Sequence, residues 1–365
     1  MRRILALAAI LLLCLLFLGI LGRNLDYLQH PDRVVWMLRT EALREQSGIH
    51  TLIMGDSQAM SGVRPDLFGE GFGKVYNIGL PSAQPEAFLS VLPYLEGNRV
   101  DTLIVNISPY SLYETEVFEA FLTYYRTEYI AVDWPSPVGR PYLYGNSAGE
   151  FVGTLLSGLG MYRVNSAYRN LATDDSLSLM VRPGPFLGIG FSGKPANHAI
   201  VDSPGLAQKA DQLRATNHRI KQLLQDHDGF WTWTWRDYRN PSQEDCSGEK
   251  LNPLPPSIRF RPRPDATQAW IEFLNGASPY VRQIVLVSIP FSDSWHDTVD
   301  RILPSARITT EIEGILASLN APEKVHYIEA PDFSDQDFFD WNHLDYCGAA
   351  RYTRFLLEQM QGQKK

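Results

Sequence analysis

The feature that most constrains this chain is a rhythm of short apolar runs, each cut off by a turn residue. His50-Thr51-Leu52-Ile53-Met54 stops at Gly55, Val75-Tyr76-Asn77-Ile78 at Gly79, and Thr102-Leu103-Ile104-Val105-Asn106-Ile107 at Ser108-Pro109. Runs this short, apolar without alternation, are the pattern of strands buried on both faces of a sheet. Between the second and third, Pro85 to Leu95 reads as a helix with Ser82 as its cap. Strand, helix, strand at this spacing is a βαβ unit, whose strands run parallel. The rhythm resumes later. Asp265 to Leu274 reads as a helix, Ile284-Val285-Leu286-Val287-Ser288 as a strand, and Arg307 to Leu319 as a helix. Val325-His326-Tyr327-Ile328 is a further strand, and Asp345 to Met360 a helix with Ala349, Tyr352, Leu356 and Met360 on one face. About five parallel strands flanked by helices predict an α/β fold, a flavodoxin-like three-layer α/β/α sandwich.

The rhythm is broken between residues 111 and 264, which read as a large insertion or cap. This stretch holds proline and aromatic clusters such as Asp133-Trp134-Pro135-Ser136-Pro137, and a proline-rich loop from Asn252 to Pro264. One amphipathic helix stands out, with Leu206, Leu213, Ile220 and Leu224 on one face. Trp231, Trp233 and Trp235 alternate with threonine, the pattern of a half-buried strand first and of a sugar-stacking platform second.

The start of the chain bears on the compartment. Met1-Arg2-Arg3 is followed by an uncharged stretch from Ile4 to Gly22, 19 residues long. As a helix it spans close to the ~30 Å hydrocarbon core, and it exceeds the apolar core of a typical signal peptide. Residues 1–23 are therefore expected to be an uncleaved membrane anchor, residues 24–48 a mostly helical charged stalk, and residues 49–365 an exported domain outside the inner (cytoplasmic) membrane. A cleaved signal peptide is the alternative. The formal net charge of -8 and the lack of a basic stripe leave nucleic acid a poor partner. No Cys/His cluster has zinc spacing, so neither a metal nor a cofactor is expected. Cys246 and Cys347 can pair in an oxidising compartment or stay as two thiols.

Two blocks carry chemistry. Gly55-Asp56-Ser57 follows the first strand, at the sheet edge where open α/β proteins place their sites. A serine there is a nucleophile if a base reaches it, and otherwise a helix cap or turn residue. Asp340-Trp341-Asn342-His343 lies past the last strand, before the last helix. At this spacing the carboxylate can accept from His Nδ1–H and leave Nε2 to take a serine proton. The bland reading is a surface turn with a solvated histidine.

Together the blocks resemble those of the SGNH (GDSL-like) hydrolase family, which places its serine in a GDS block after the first strand and closes with DxxH before the last helix. Asn77-Ile78-Gly79 resembles the family's second block. The resemblance covers the sheet core, about half the chain. It implies an SGNH fold in which Ser57 attacks an acyl carbonyl, His343 is base and then acid, Asp340 orients His343, and the N–H groups of Ser57 and Gly79 hold the oxyanion. The family's third block, G-x-N, is missing. The chain has Val105-Asn106-Ile107-Ser108-Pro109-Tyr110 there, leaving Asn106, Ser108 or a backbone N–H to fill the place. Loss of one such donor costs about 2.7–4 kcal/mol of transition-state stabilisation, which would slow hydrolysis. The I-S-P run followed by an aromatic is similar to membrane-anchored members that transfer D-alanyl groups or acylate envelope polysaccharides. That likeness implies O-acyl, most simply acetyl, transfer to a cell-surface polysaccharide, with an integral membrane O-acyltransferase as donor partner. A carbohydrate or lipid esterase and a non-catalytic glycan-binding scaffold are the rival expectations.

Overall fold

The five apolar runs are the five strands of one parallel sheet. In the computed structural model they are β1 (Thr51–Met54), β2 (Val75–Asn77), β3 (Val100–Asn106), and two later strands separated from β3 by a two-stranded ribbon. The ribbon pairs β4 (Tyr113–Glu114) with β5 (Arg261–Pro262) in antiparallel fashion. The later strands are β6 (Val281–Val287) and β7 (Val325–Ile328), and the sheet order is β2-β1-β3-β6-β7. The structure describes residues 26–28, 31–98, 100–115, 205–231, 246 and 259–362, with part of 7–17. Every residue of β1 is buried, which is why the run has no polar alternation.

Register fixes where the strand ends meet. Met54 pairs with Val105, and Asn106 with Val287. Gly55-Asp56-Ser57 and Ile107-Ser108 therefore emerge side by side at the carboxyl edge. The direction of connection reverses between β1 and β3, and such a switch point opens a crevice beyond the strands.

Helices in chain order are α1 (Pro31–Glu45), α2 (Ser57–Gly62), α3 (Pro85–Phe88), α4 (Leu92–Gly97), α5 (Pro109–Leu112) and α6 (Gly205–Asp226). They continue with α7 (Pro264–Ala277), α8 (Asp293–Val299), α9 (Ser305–Ala317) and α10 (Tyr346–Gly362). The apolar stripe of α7 buries Trp270, Phe273 and Leu274, and Phe88 of α3 meets the Trp270 and Phe273 rings at 5.3 and 5.6 Å. Burial of each such side chain is worth about 1.5–3 kcal/mol.

Three local expectations change. The helix expected over Pro85 to Leu95 is split into α3, a 3-10 turn at Leu89–Val91, and α4. Pro93 lacks an N–H and crowds the preceding turn, so an α-helix restarts there rather than running through. Ser82 does not cap α3. It sits in a left-handed turn at φ 59°, and Gln84 occupies the cap position without a side-chain bond. The stalk is helical as α1, but Val34 to Thr40 are buried rather than solvated.

By contacts the chain divides into two units, Met1–Thr40 with Leu122–Lys221, and Glu41–Phe121 with Gln222–Lys365. Within the first, the Tyr27 and His218 rings stack at 3.9 Å, and Asn217 Nδ2 donates to the Tyr27 carbonyl at 2.8 Å. The sheet lies in the second. There Asp228, just past α6, accepts from Asn77 N–H at 2.8 Å and covers the free edge of β2. The amphipathic helix is α6, with Ile220 and Leu224 buried. Trp231 is buried, while Trp233, Trp235 and most of the proposed cap lie outside the described residues. So does most of residues 1–23. Among the described residues no helix is long and apolar enough to cross a membrane.

Candidate functional site

The turn that carries Ser57 starts at a glycine with no room for a Cβ. Gly55 has φ +148°, and a Cβ there would lie 2.6 Å from Ala59 Cβ and 2.7 Å from Asn106 Cβ. The strand can therefore turn sharply into α2. Asp56 caps that helix in extended conformation, its Oδ1 accepting from Gln58 N–H at 2.8 Å. Ser57 is the first helical residue and half-buried, whereas the residues after it are buried.

The second turn is built from two fully buried anchors. Phe338 and Leu344 form an antiparallel bridge, and Phe339 N–H donates to the His343 carbonyl at 2.9 Å. Inside this loop Asp340 Oδ1 accepts from the backbone N–H groups of Asn342 and His343, at 3.0 and 2.8 Å. Aspartate readily closes such turns on its own backbone. Ser292, ahead of α8, ties the loop to the β6 side through Oγ to the Trp341 carbonyl at 3.1 Å.

These turns bring the three expected side chains together. His343 Nδ1 lies 2.8 Å from Asp340 Oδ2, and His343 Nε2 lies 2.8 Å from Ser57 Oγ. An ionised Asp340 can only accept, so Nδ1 carries the proton and Nε2 is the acceptor for the serine hydroxyl. Burial pushes the Asp340 carboxyl up, but the His343 charge and hydrogen bonds from His343 and Asn342 outweigh it and hold the group below the ordinary carboxylate range. The arrangement is competent for proton removal from Ser57 by His343.

Three expected oxyanion donors are engaged elsewhere. Asn106 Nδ2 donates to Asp56 Oδ1 at 2.9 Å, and Ser108 Oγ to Asp56 Oδ2 at 2.7 Å. Ser108 N–H donates to Ser111 Oγ at 3.1 Å. Gly79 N–H donates to Asn77 Oδ1 at 2.8 Å, and Asn77 is itself fixed by Nδ2 bonds to the Ala59 and Val63 carbonyls, both at 2.8 Å. The role of Gly79 here is close packing, since a Cβ would lie 2.5 Å from Met60 N. Of the expected set, Ser57 N–H alone makes no such bond among the described residues.

Asp56 carries no role of its own in the sequence reading. It is a buried carboxylate with three donors, and burial pushes its pKa up, offset in part by Ser108, Gln58, the His343 charge and Asn106. Gln58 was missed altogether. Its Nε2 donates to the Asn342 carbonyl at 3.1 Å inside the protein, across 284 positions of sequence. A glutamine beside a serine carries no signature of such a partner.

Cys246 and Cys347 are joined in a disulfide with Cα atoms 5.1 Å apart, tying residue 246 to the first turn of α10. Among the described residues no group of three or more His, Cys, Asp or Glu is placed to hold a metal ion. No known family model matches the chain, and no curated protein matches it.

Proposed function

We propose that this chain is an exported, membrane-anchored serine O-acyltransferase of SGNH type that works on a cell-surface polysaccharide through an acyl-Ser57 intermediate. The observation that carries the serine chemistry is the Ser57–His343–Asp340 series, with both links at 2.8 Å, at the carboxyl edge of a parallel sheet. Ser57 Oγ attacks an acyl carbonyl as its proton passes to His343 Nε2. The tetrahedral adduct collapses, and His343 returns the proton to the departing oxygen of the donor. The acyl group is left as an ester on Ser57. An acceptor hydroxyl then attacks that ester and loses its proton to His343. Ser57 Oγ leaves and is reprotonated.

Two further observations favour transfer outside the cytoplasm. Asn106, Ser108 and Gly79 N–H are all committed to other acceptors, which leaves fewer donors for an oxyanion and fits slow turnover of a simple ester without an acceptor held in place. The Cys246–Cys347 bond suits an oxidising compartment. The anchor over residues 1–23, the acetyl group and an integral membrane O-acyltransferase as donor rest on the sequence resemblance.

A fluorophosphonate probe tests the chemistry. The parent should be labelled at Ser57, and Ser57→Ala and His343→Ala should not. An unlabelled parent would remove the serine-enzyme reading and leave the glycan-binding scaffold. Given an activated acyl ester, the enzyme should turn over faster with acceptor oligosaccharides present, with acyl mass appearing on the sugar. Fast hydrolysis with no acylated sugar would leave an esterase.

A further inference from the structure

We infer that Gln58 is a positioning residue: its side chain holds the Asp340–His343 turn against the nucleophile helix through every stage of the reaction. This rests on the serine-acyl reading above. Among the hydrogen bonds between the described residues of the two blocks, the other runs from Ser57 Oγ to His343 Nε2 and so involves the reacting atoms. Once Ser57 is acylated, Oγ has no proton to give. His343 must nonetheless stay in place to deprotonate the acceptor hydroxyl. A second link that does not involve the reacting atoms is needed, and Gln58 Nε2 to the Asn342 carbonyl is such a link.

Both ends of the strap are anchored. Gln58 N–H is fixed on Asp56 Oδ1, and Asp56 is held in turn by Asn106 Nδ2 and Ser108 Oγ. At the other end Asn342 is the residue before His343, and both backbone N–H groups are bonded to Asp340 Oδ1. Ser292 ties the same turn to the β6 side, through Trp341. Gln58 alone among these ties the turn to the helix that starts at Ser57. The bond is buried, and low local polarity strengthens it.

Fold stability is a poor reason for a glutamine here. Its Oε1 is buried with no hydrogen-bond partner among the described residues, an unfavourable state. A methionine would fill similar space without that orphan. Gln58→Met removes a buried orphan acceptor and creates another at the Asn342 carbonyl, so the two effects on stability oppose each other.

The test separates the strap from the chemistry. In a Ser57→Ala background the Ser–His link is gone and the strap acts alone. The hydrogen-bonded Nδ1–H proton of His343, observed by NMR, should persist in Ser57→Ala and be lost or broadened in Ser57→Ala/Gln58→Met, with both proteins folded by thermal melt. An unchanged resonance in the double variant would overturn the inference whether or not the chain is an enzyme. With Ser57 restored, Gln58→Met should slow loss of the acyl group from the enzyme by roughly ten- to a hundredfold and slow its formation less. Acylation and deacylation falling by the same factor would also overturn it. Failure of the serine reading shows separately, as an unlabelled parent.

Discussion

Asp56 precedes Ser57 in the chain and Asp340 is bonded to the histidine that meets Ser57, and the protein treats the two aspartates in opposite ways. Asp340 is partly exposed, beside a histidine, and held below the ordinary carboxylate range. Asp56 is buried and raised, and its hydrogen-bond donors are neutral: a backbone N–H, an amide and a hydroxyl. One carboxylate is hydrogen-bonded to a histidine and suits proton traffic. The other gathers three chain segments at a point and suits architecture. Equal numbers of hydrogen bonds do not imply equal roles; what the donors are, and how dry the site is, decides.

The largest effect expected from this contrast is on turnover. Asp340→Asn keeps the shape of the turn but favours the wrong histidine tautomer, and a loss of about 10⁴-fold in kcat is expected with little change in melting temperature. Steady-state kinetics beside a thermal melt checks it, and near-parent activity would strip Asp340 of its orienting role. The next largest effect is on stability and belongs to Asp56. Asp56→Ala leaves the Gln58 N–H, Asn106 amide and Ser108 hydroxyl without their acceptor and should cost about 3 kcal/mol or more in chemical denaturation. Asp56→Asn should cost less, because its oxygen still serves two donors and the Ser108 hydroxyl can turn to accept. Equal losses in the two variants would mean that charge rather than donor satisfaction matters at this position.

The smallest effect is the dependence on pH, and it has opposite signs at the two sites. Asp340 is lowered on folding, so its contribution is present above the ordinary value of 3.8 and disappears as pH falls through the folded value. The stability gap between parent and Asp340→Asn should therefore narrow in acid below that point. Asp56 is raised, so its contribution is present below 3.8 and is lost as pH rises through the folded value. The parent should lose ground to Asp56→Asn over that rise. Denaturation midpoints measured across the acid range decide it. Curves of the same sign would dissolve the distinction between the two carboxylates.

Much of this arrangement was legible in the residues. The five strands were, because each is a short apolar run, and the first three stop at a glycine or a Ser-Pro step that breaks the run. The meeting of Ser57, Asp340 and His343 was expected from the resemblance of the two blocks to GDS and DxxH, since a strand-end serine or an Asp-x-x-His turn alone also fits a plain cap or surface turn. The direction of Asn106 and Ser108 was not. The run leaves Asn106, Ser108 or a backbone N–H open as the third donor, and the pleat of β3 with the turn after it brings both side chains to Asp56. Gln58 was illegible for a related reason: its partner is a backbone carbonyl, and backbone groups look the same at every position. Pro93 breaks the helix expected over Pro85 to Leu95, because a proline has no N–H to give the preceding turn.

The disulfide changes what a cut chain would be. Residues 246 and 347 are covalently joined, so the segment between them is a closed ring that carries β6, β7, Asp340 and His343. A single proteolytic nick inside that ring separates nothing. The piece bearing Ser57 and the piece bearing α10 travel as one species until the bond is reduced. A nicked molecule would migrate intact without reductant and as two fragments with it. After a nick between residues 247 and 339 the histidine half of the site parts from the serine half only on reduction, whereas a cut between Ser57 and Cys246 lies outside the ring and is not held by the bond.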